Sequence, residues 1–202
     1  MTRLVVGALG LALCCGATAG ATSYLPVTFS ELVTRADVIF AGEVVDVRPF
    51  PLETRDGTII KTRVVFQVSD PIWGTSGSLE IFEFLGGEWG GIGMAVAEMP
   101  QFAIGDRRVV FARRDRSINP IVGFTQGLLQ IGRDSAGVDR IFTADGTPLA
   151  QPESIGTGTV GPSVPRAAAM RLSDFRERVR RANHRRASAD VQQCAVPLHV
   201  SG

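Results

Sequence analysis

The run VIFAGEVVDVRPFPLETRDGTIIKTRVVFQVS, residues 38–69, decides the fold class. Its first part, Val38 to Val47, carries apolar residues on both faces, the pattern of a largely buried strand. Asp56-Gly57 then marks a tight turn, because both residues tolerate positive φ. After it, Ile60, Val64, Phe66 and Val68 fall on one face, with Lys61, Arg63, Gln67 and Ser69 on the other. That alternation predicts a strand with one dry side.

Further strands lie downstream. Leu79 to Leu85 reads as a third, with Leu79, Ile81 and Leu85 facing opposite to Phe82 and Phe84. Arg108 to Ala112 is a fourth, and Ile121 to Ile131 a fifth, bent at Gly123 and Gly127. Asp139 to Thr143 is a sixth, ending in the turn Asp145-Gly146. Upstream, Thr28 and Glu31 form a capping box, and Val27 and Leu32 stand at the staple positions, so a short helix is expected from Thr28 to Asp37. Short strands spaced by turns, with one small helix, predict a mainly β domain over residues 22–150, a small OB-like antiparallel barrel whose glycine bends favour closure.

The N-terminus reads as an export signal over residues 1–21. Arg3 supplies charge, Leu4 to Leu13 a short apolar core, and GATAGA the small residues, with cleavage after Ala19 or Ala21. The apolar run is too short to span a bilayer. A lipoprotein alternative would use Cys14 or Cys15, but Leu13 or Cys14 precedes it where a small residue is needed. Export implies a secreted or periplasmic protein and leaves Cys194 as the one mature cysteine, so an apolar core replaces disulfides. Cys194 can then serve only between chains or as a free thiol.

Charge divides along the chain. Residues 22–162 hold 12 basic and 17 acidic side chains, a net of −5, whereas residues 163–202 hold 8 and 3, a net of +5. Gly, Pro, Ser and Thr crowd residues 151–165, a linker. Residues 166–187 then read as an arginine-rich amphipathic helix with Leu172, Phe175, Val179 and Ala182 on one stripe. The stripe fits docking on the domain; peripheral contact with anionic lipid is the alternative. Residues 188–202 read as a frayed tail.

The candidate surface is the stretch GGEWGGIGMAVAEMPQF between the third and fourth strands. Five glycines cost ordering entropy, which points to a shape other residues cannot adopt. The residues assigned to it are Gly86, Gly87, Glu88, Trp89, Gly90, Gly91, Ile92, Gly93, Met94, Met99, Pro100 and Phe102. Trp and Met favour protein interfaces, so these residues either form a binding face or fold back to plug the barrel end.

The order of helix, ADVIFAGEVVDV, alternating strand, glycine loop, PQFAIGDRRVVF and GFTQGLLQI resembles a group of uncharacterised secreted bacterial proteins. More distantly it is similar to the OB-like barrels of netrin-like and metalloproteinase-inhibitor domains. The matching residues are Ala36-Asp37-Val38-Ile39, Gly42, Gly105, Val109, Val110 and Phe111, within residues 28–131. The resemblance implies the barrel. It does not extend to zinc chelation by an N-terminal Cys, because Thr22-Ser23-Tyr24 offers none.

Other chemistry is thinly supplied. The two His, His184 and His199, fall outside the barrel, so no Ser or Cys has a positioned base. Cys194 with His199 gives too few ligands for a metal site, and no cofactor is expected. GGEWGGIG lacks the GK[ST] ending of a phosphate loop and carries the anion Glu88. Nucleic acid is disfavoured by the acidic body. The expected role is a non-catalytic module binding a secreted or envelope protein, a protease included. The alternatives are a carbohydrate-active enzyme using Glu83, Glu88 or Asp106, or a structural envelope component.

Overall fold

A computed structural model describes residues 25–74, 77–115, 117–156 and 164–194. The expected signal segment, most of the linker's second half and the end of the tail, His199 among them, lie outside the described residues. The architecture is mainly β. Helix α1 (Phe29–Arg35) precedes β1 (Val38–Thr54), β2 (Gly57–Trp73), β3 (Leu79–Leu85), β4 (Gly87–Trp89) and β5 (Ile92–Met94). Strands β6 (Arg107–Ala112), β7 (Leu128–Arg133) and β8 (Asp139–Phe142) follow, and α2 (Leu172–Cys194) ends the described chain.

The capping box forms as its residues dictate. Glu31 N–H donates to Thr28 Oγ1 at 3.3 Å and Thr28 N–H donates to Glu31 Oε2 at 2.8 Å. Strands β1 and β2 make a long antiparallel hairpin paired from Ile39↔Trp73 to Thr54↔Gly57, its register shifting between Ile39 and Phe40, Ala41 and Gly42, and Val44 and Asp46. Beyond Asp46 and Lys61 this hairpin outruns β6 and β3, which pair with only Val38–Glu43 of β1 and Lys61–Gln67 of β2, and its flank there is met by Gly86 and Gly87.

The strands order as β3-β2-β1-β6-β7-β8. The main sheet is therefore open, and the expected barrel closure does not occur. The reason lies in residues 113–127. Instead of running straight as a fifth strand from Ile121, the chain bridges Ile121 to Ala112 and turns through Gly123 and Phe124, both at positive φ. The strand begins only at Leu128. Among the described residues this connector spends its backbone hydrogen bonds mostly on itself and on β6, and its one backbone bond to β3 runs from Leu85 N–H to Ile118 O at 3.0 Å. The Arg114–Glu80 ion pair at 2.9 Å is the second tie across that seam.

Both faces of the sheet are buried at its centre, where Val38 to Gly42 of the doubly apolar β1 run lie. One face packs Ile39, Ala41, Val109, Phe111 and Ile141 against α1 and α2. The other gathers Phe40, Phe66, Phe82, Phe84, Val110 and Leu128. In β3 the alternation falls as expected, with Phe82 and Phe84 buried and Leu79 and Ile81 exposed.

The arginine-rich helix docks on the first face. Phe175 is fully buried, edge-on to Phe29 at 5.9 Å and to Phe111 at 6.2 Å, and Val179 is buried beside it. Its boundaries differ from those expected. Residues 166–168 form a single 3-10 turn, α2 starts at Leu172, and it continues past residue 187 to Cys194. The late start has a visible cause: the carbonyls of Ala169 and Met170 accept from Arg140 Nη1 and Ile141 N–H of β8, at 2.8 and 2.9 Å. That pairing holds the chain extended along the β8 edge until Leu172.

Candidate functional site

The glycine stretch is built as a hairpin followed by a packed return. Gly86 leaves β3 with its N–H on Ile60 O at 2.7 Å and its carbonyl accepting from Thr62 Oγ1 at 2.7 Å. Strands β4 and β5 pair as Gly87↔Met94, Glu88↔Gly93 and Trp89↔Ile92. Gly90 and Gly91 form the two-residue turn between them, at φ +57° and +80°. Two consecutive positive φ values define the turn whose twist matches a hairpin, and glycine adopts them without strain. At the base, Gly87 takes φ +132° and lies so close to β2 that a Cβ would overlap Thr62 Oγ1.

This frame decides where the assigned residues point. Trp89 and Ile92 stand directly across the ribbon from one another, 49% and 69% exposed. Glu88, Gly90, Gly91 and Gly93 are exposed with them, and Met94 is half-buried. The return behaves differently. Met99 and Phe102 pack on the second core face, Pro100 is buried, and the Phe102 ring lies 4.8 Å from Phe84 and 5.7 Å from Phe66. Between hairpin and return lies a cleft of about 570 Å³, bounded by Val47, Pro49, Phe84, Met94, Met99 and Phe102. The two sequence alternatives thus divide the stretch: residues 99–102 close the end of the core, and residues 88–92 are presented outward.

Two of the three carboxylates considered for catalysis are engaged in ion pairs. Glu83 binds Arg63 at 3.1 Å and Lys61 at 3.4 Å. Asp106 binds Arg108 at 2.9 Å and accepts from Ala103 N–H at 3.1 Å. Burial pushes the Asp106 carboxyl up, but those two hydrogen bonds outweigh it and hold it below the usual range. A general acid needs the opposite shift. Glu88 makes no ion pair among the described residues. No group of three His, Cys, Asp or Glu side chains able to hold a metal occurs among the described residues. No helix there is long and apolar enough to cross a membrane.

The hairpin itself escaped the sequence reading, although its signal was present: a Gly-Gly pair between two large apolar residues, Trp89 and Ile92. Asn183 escaped it too. It sits four residues after Val179, where the apolar stripe of α2 would continue, and is 1% exposed. No protein-family model matches this chain, and no curated protein and no solved structure is significantly similar to it.

Proposed function

We propose that this chain is an exported, non-catalytic interaction module that engages a secreted or envelope protein, a protease among the candidates, through the β4–β5 hairpin. The observation that carries the reading is the pairing of Trp89 with Ile92 on a ribbon pinned at its base to β2. A large apolar pair held out into solvent by a short, hydrogen-bonded ribbon has little conformational freedom to lose on binding. Trp is also the side chain most often found at the energetic centre of an interface. The half-buried Met94 and the cleft behind it extend the apolar surface from the ribbon tip toward the core.

The test is crosslinking of the tagged protein in its own host, beside a Trp89→Ala control, followed by titration of any captured protein against both purified forms. Trp89→Ala should weaken that complex by about 2 kcal/mol or more, roughly thirtyfold. Equal affinity for both forms would remove the hairpin from the interface.

A further inference from the structure

A second site lies at the opposite end of β1 and β2, where α1 ends and α2 passes over it. Ala36, Asp37, Trp73, Asn183, Arg186 and Ala187 line an open cavity of about 240 Å³. Asn183, Arg186 and Ala187 come from one face of α2, at i, i+3 and i+4. Asn183 is the unusual member, because both its Nδ2 and its Oδ1 are buried without a hydrogen-bond partner. A buried primary amide with neither end satisfied is costly, and an apolar residue would continue the α2 stripe without that cost. The polar side chain therefore calls for a partner, and one that enters the cavity must displace the atoms that now cover the amide.

The other walls narrow its chemistry. Asp37 offers carboxylate oxygens, one of which already accepts from Arg114 N–H at 2.9 Å. Arg186 offers guanidinium donors and, among the described residues, is held by a 3.5 Å bond to Val33 O, long enough to release easily. A cation would meet Arg186 and an anion would meet Asp37, so neither sign of charge is selected. A wholly apolar ligand would leave Asn183 unpaired. Trp73, 39% exposed, supplies a flat apolar wall. A neutral ligand with one apolar face and a rim of groups that both donate and accept satisfies all four walls.

We infer that this cavity binds a single pyranose unit of a glycan, its C–H face on Trp73 and its hydroxyls on Asn183, Asp37 and Arg186. The volume suits one ring and is well below that of a drug-sized pocket. This site shares no residue with the β4–β5 hairpin, so the two readings can fail separately.

Ligand-observed saturation-transfer NMR on the whole secreted protein tests it, with methyl glucoside, methyl galactoside and methyl N-acetylglucosaminide as probes. At least one should give a saturable signal that Trp89→Ala leaves intact. Asn183→Leu should raise Tm, because it removes two orphaned polar atoms, yet weaken the signal about tenfold or more. Trp73→Ala should weaken it likewise, and provides the check if Asn183→Leu fails to fold. A higher Tm with no binding of any probe by the parent protein would mean that water alone satisfies Asn183, and the inference fails. Binding that survives Asn183→Leu or Trp73→Ala lies elsewhere on the surface and overturns it equally.

Discussion

Gly87 and Gly90 differ by three positions and by what surrounds them, and substitution should separate the two. At Gly90 a Cβ meets nothing within 4 Å, so Gly90→Ala carries only the left-handed backbone cost, about 1 kcal/mol. Gly90→Asn should cost less, since Asn tolerates that region. At Gly87 the backbone is at φ +132°, a region nearly closed to side chains, and the Cβ also collides with Thr62 and crowds Pro49 and Ile60. Gly87→Ala should therefore cost about 2–3 kcal/mol and displace the hairpin base. Urea unfolding of the two variants gives the comparison; equal losses would mean that the ribbon is not seated on β2. Trp89→Ala belongs to a third class. Its side chain is half exposed, so stability should change by less than about 1 kcal/mol while partner binding weakens roughly thirtyfold. The number of glycines was legible in the sequence as a sign of special shape. Which of them met steric walls was not, because Thr62 and Pro49 come from strands far away in the chain.

Among the elements, α2 depends on one side chain more than any other. Phe175 is fully buried and touches an aromatic ring of α1, Phe29, and one of β6, Phe111, so it fastens the helix to both. Phe175→Ala should cost about 3–5 kcal/mol, the usual range for emptying a large aromatic site. Because α2 meets the sheet along one stripe, the loss should appear first as undocking. Limited proteolysis should then cut within residues 166–194 before the sheet is attacked. Simultaneous loss of the whole domain would instead mean that helix and sheet fold as one unit. The elements most readable beforehand were those with a local cause: the Thr28–Glu31 box, the two-sided β1 run and the alternation in β2 and β3. The start of α2 was unreadable, because the competing partners of its first carbonyls belong to β8. The bend expected at Gly123 is present, but the strand read through it starts only after it, at Leu128.

At the scale of the whole molecule, an open sheet is held in shape by ties between distant strands, and several of them are ionic. Arg107 on β6 grips Asp139 on β8 through two bonds of 2.8 and 2.6 Å across the intervening β7. The Arg107 hydrogen bond, with a second from Arg133, holds the Asp139 carboxyl below the ordinary aspartate range despite partial burial. Asp134 is lowered as well, by Val138 N–H first and then by Arg140. Asp145 is lowered by Thr143 and by the backbone of Thr147. Each of these carboxyls binds its proton less readily folded than unfolded. Their contribution is therefore complete above the unfolded value, about pH 4, and is lost as pH falls through the lower folded values. Tm should accordingly stay nearly level from about pH 7 to pH 5 and drop below about pH 4. Asp139→Asn should cost about 1–2 kcal/mol at neutral pH, a range set below that of fully buried charged hydrogen bonds because both partners are partly exposed. As acid protonates Asp139 in the parent protein, the two forms should converge. Thermal melts across this range decide the matter: a gap between parent and variant that stays constant down to pH 2 would show that Arg107 holds Asp139 by shape alone, and that charge contributes nothing to spanning β7.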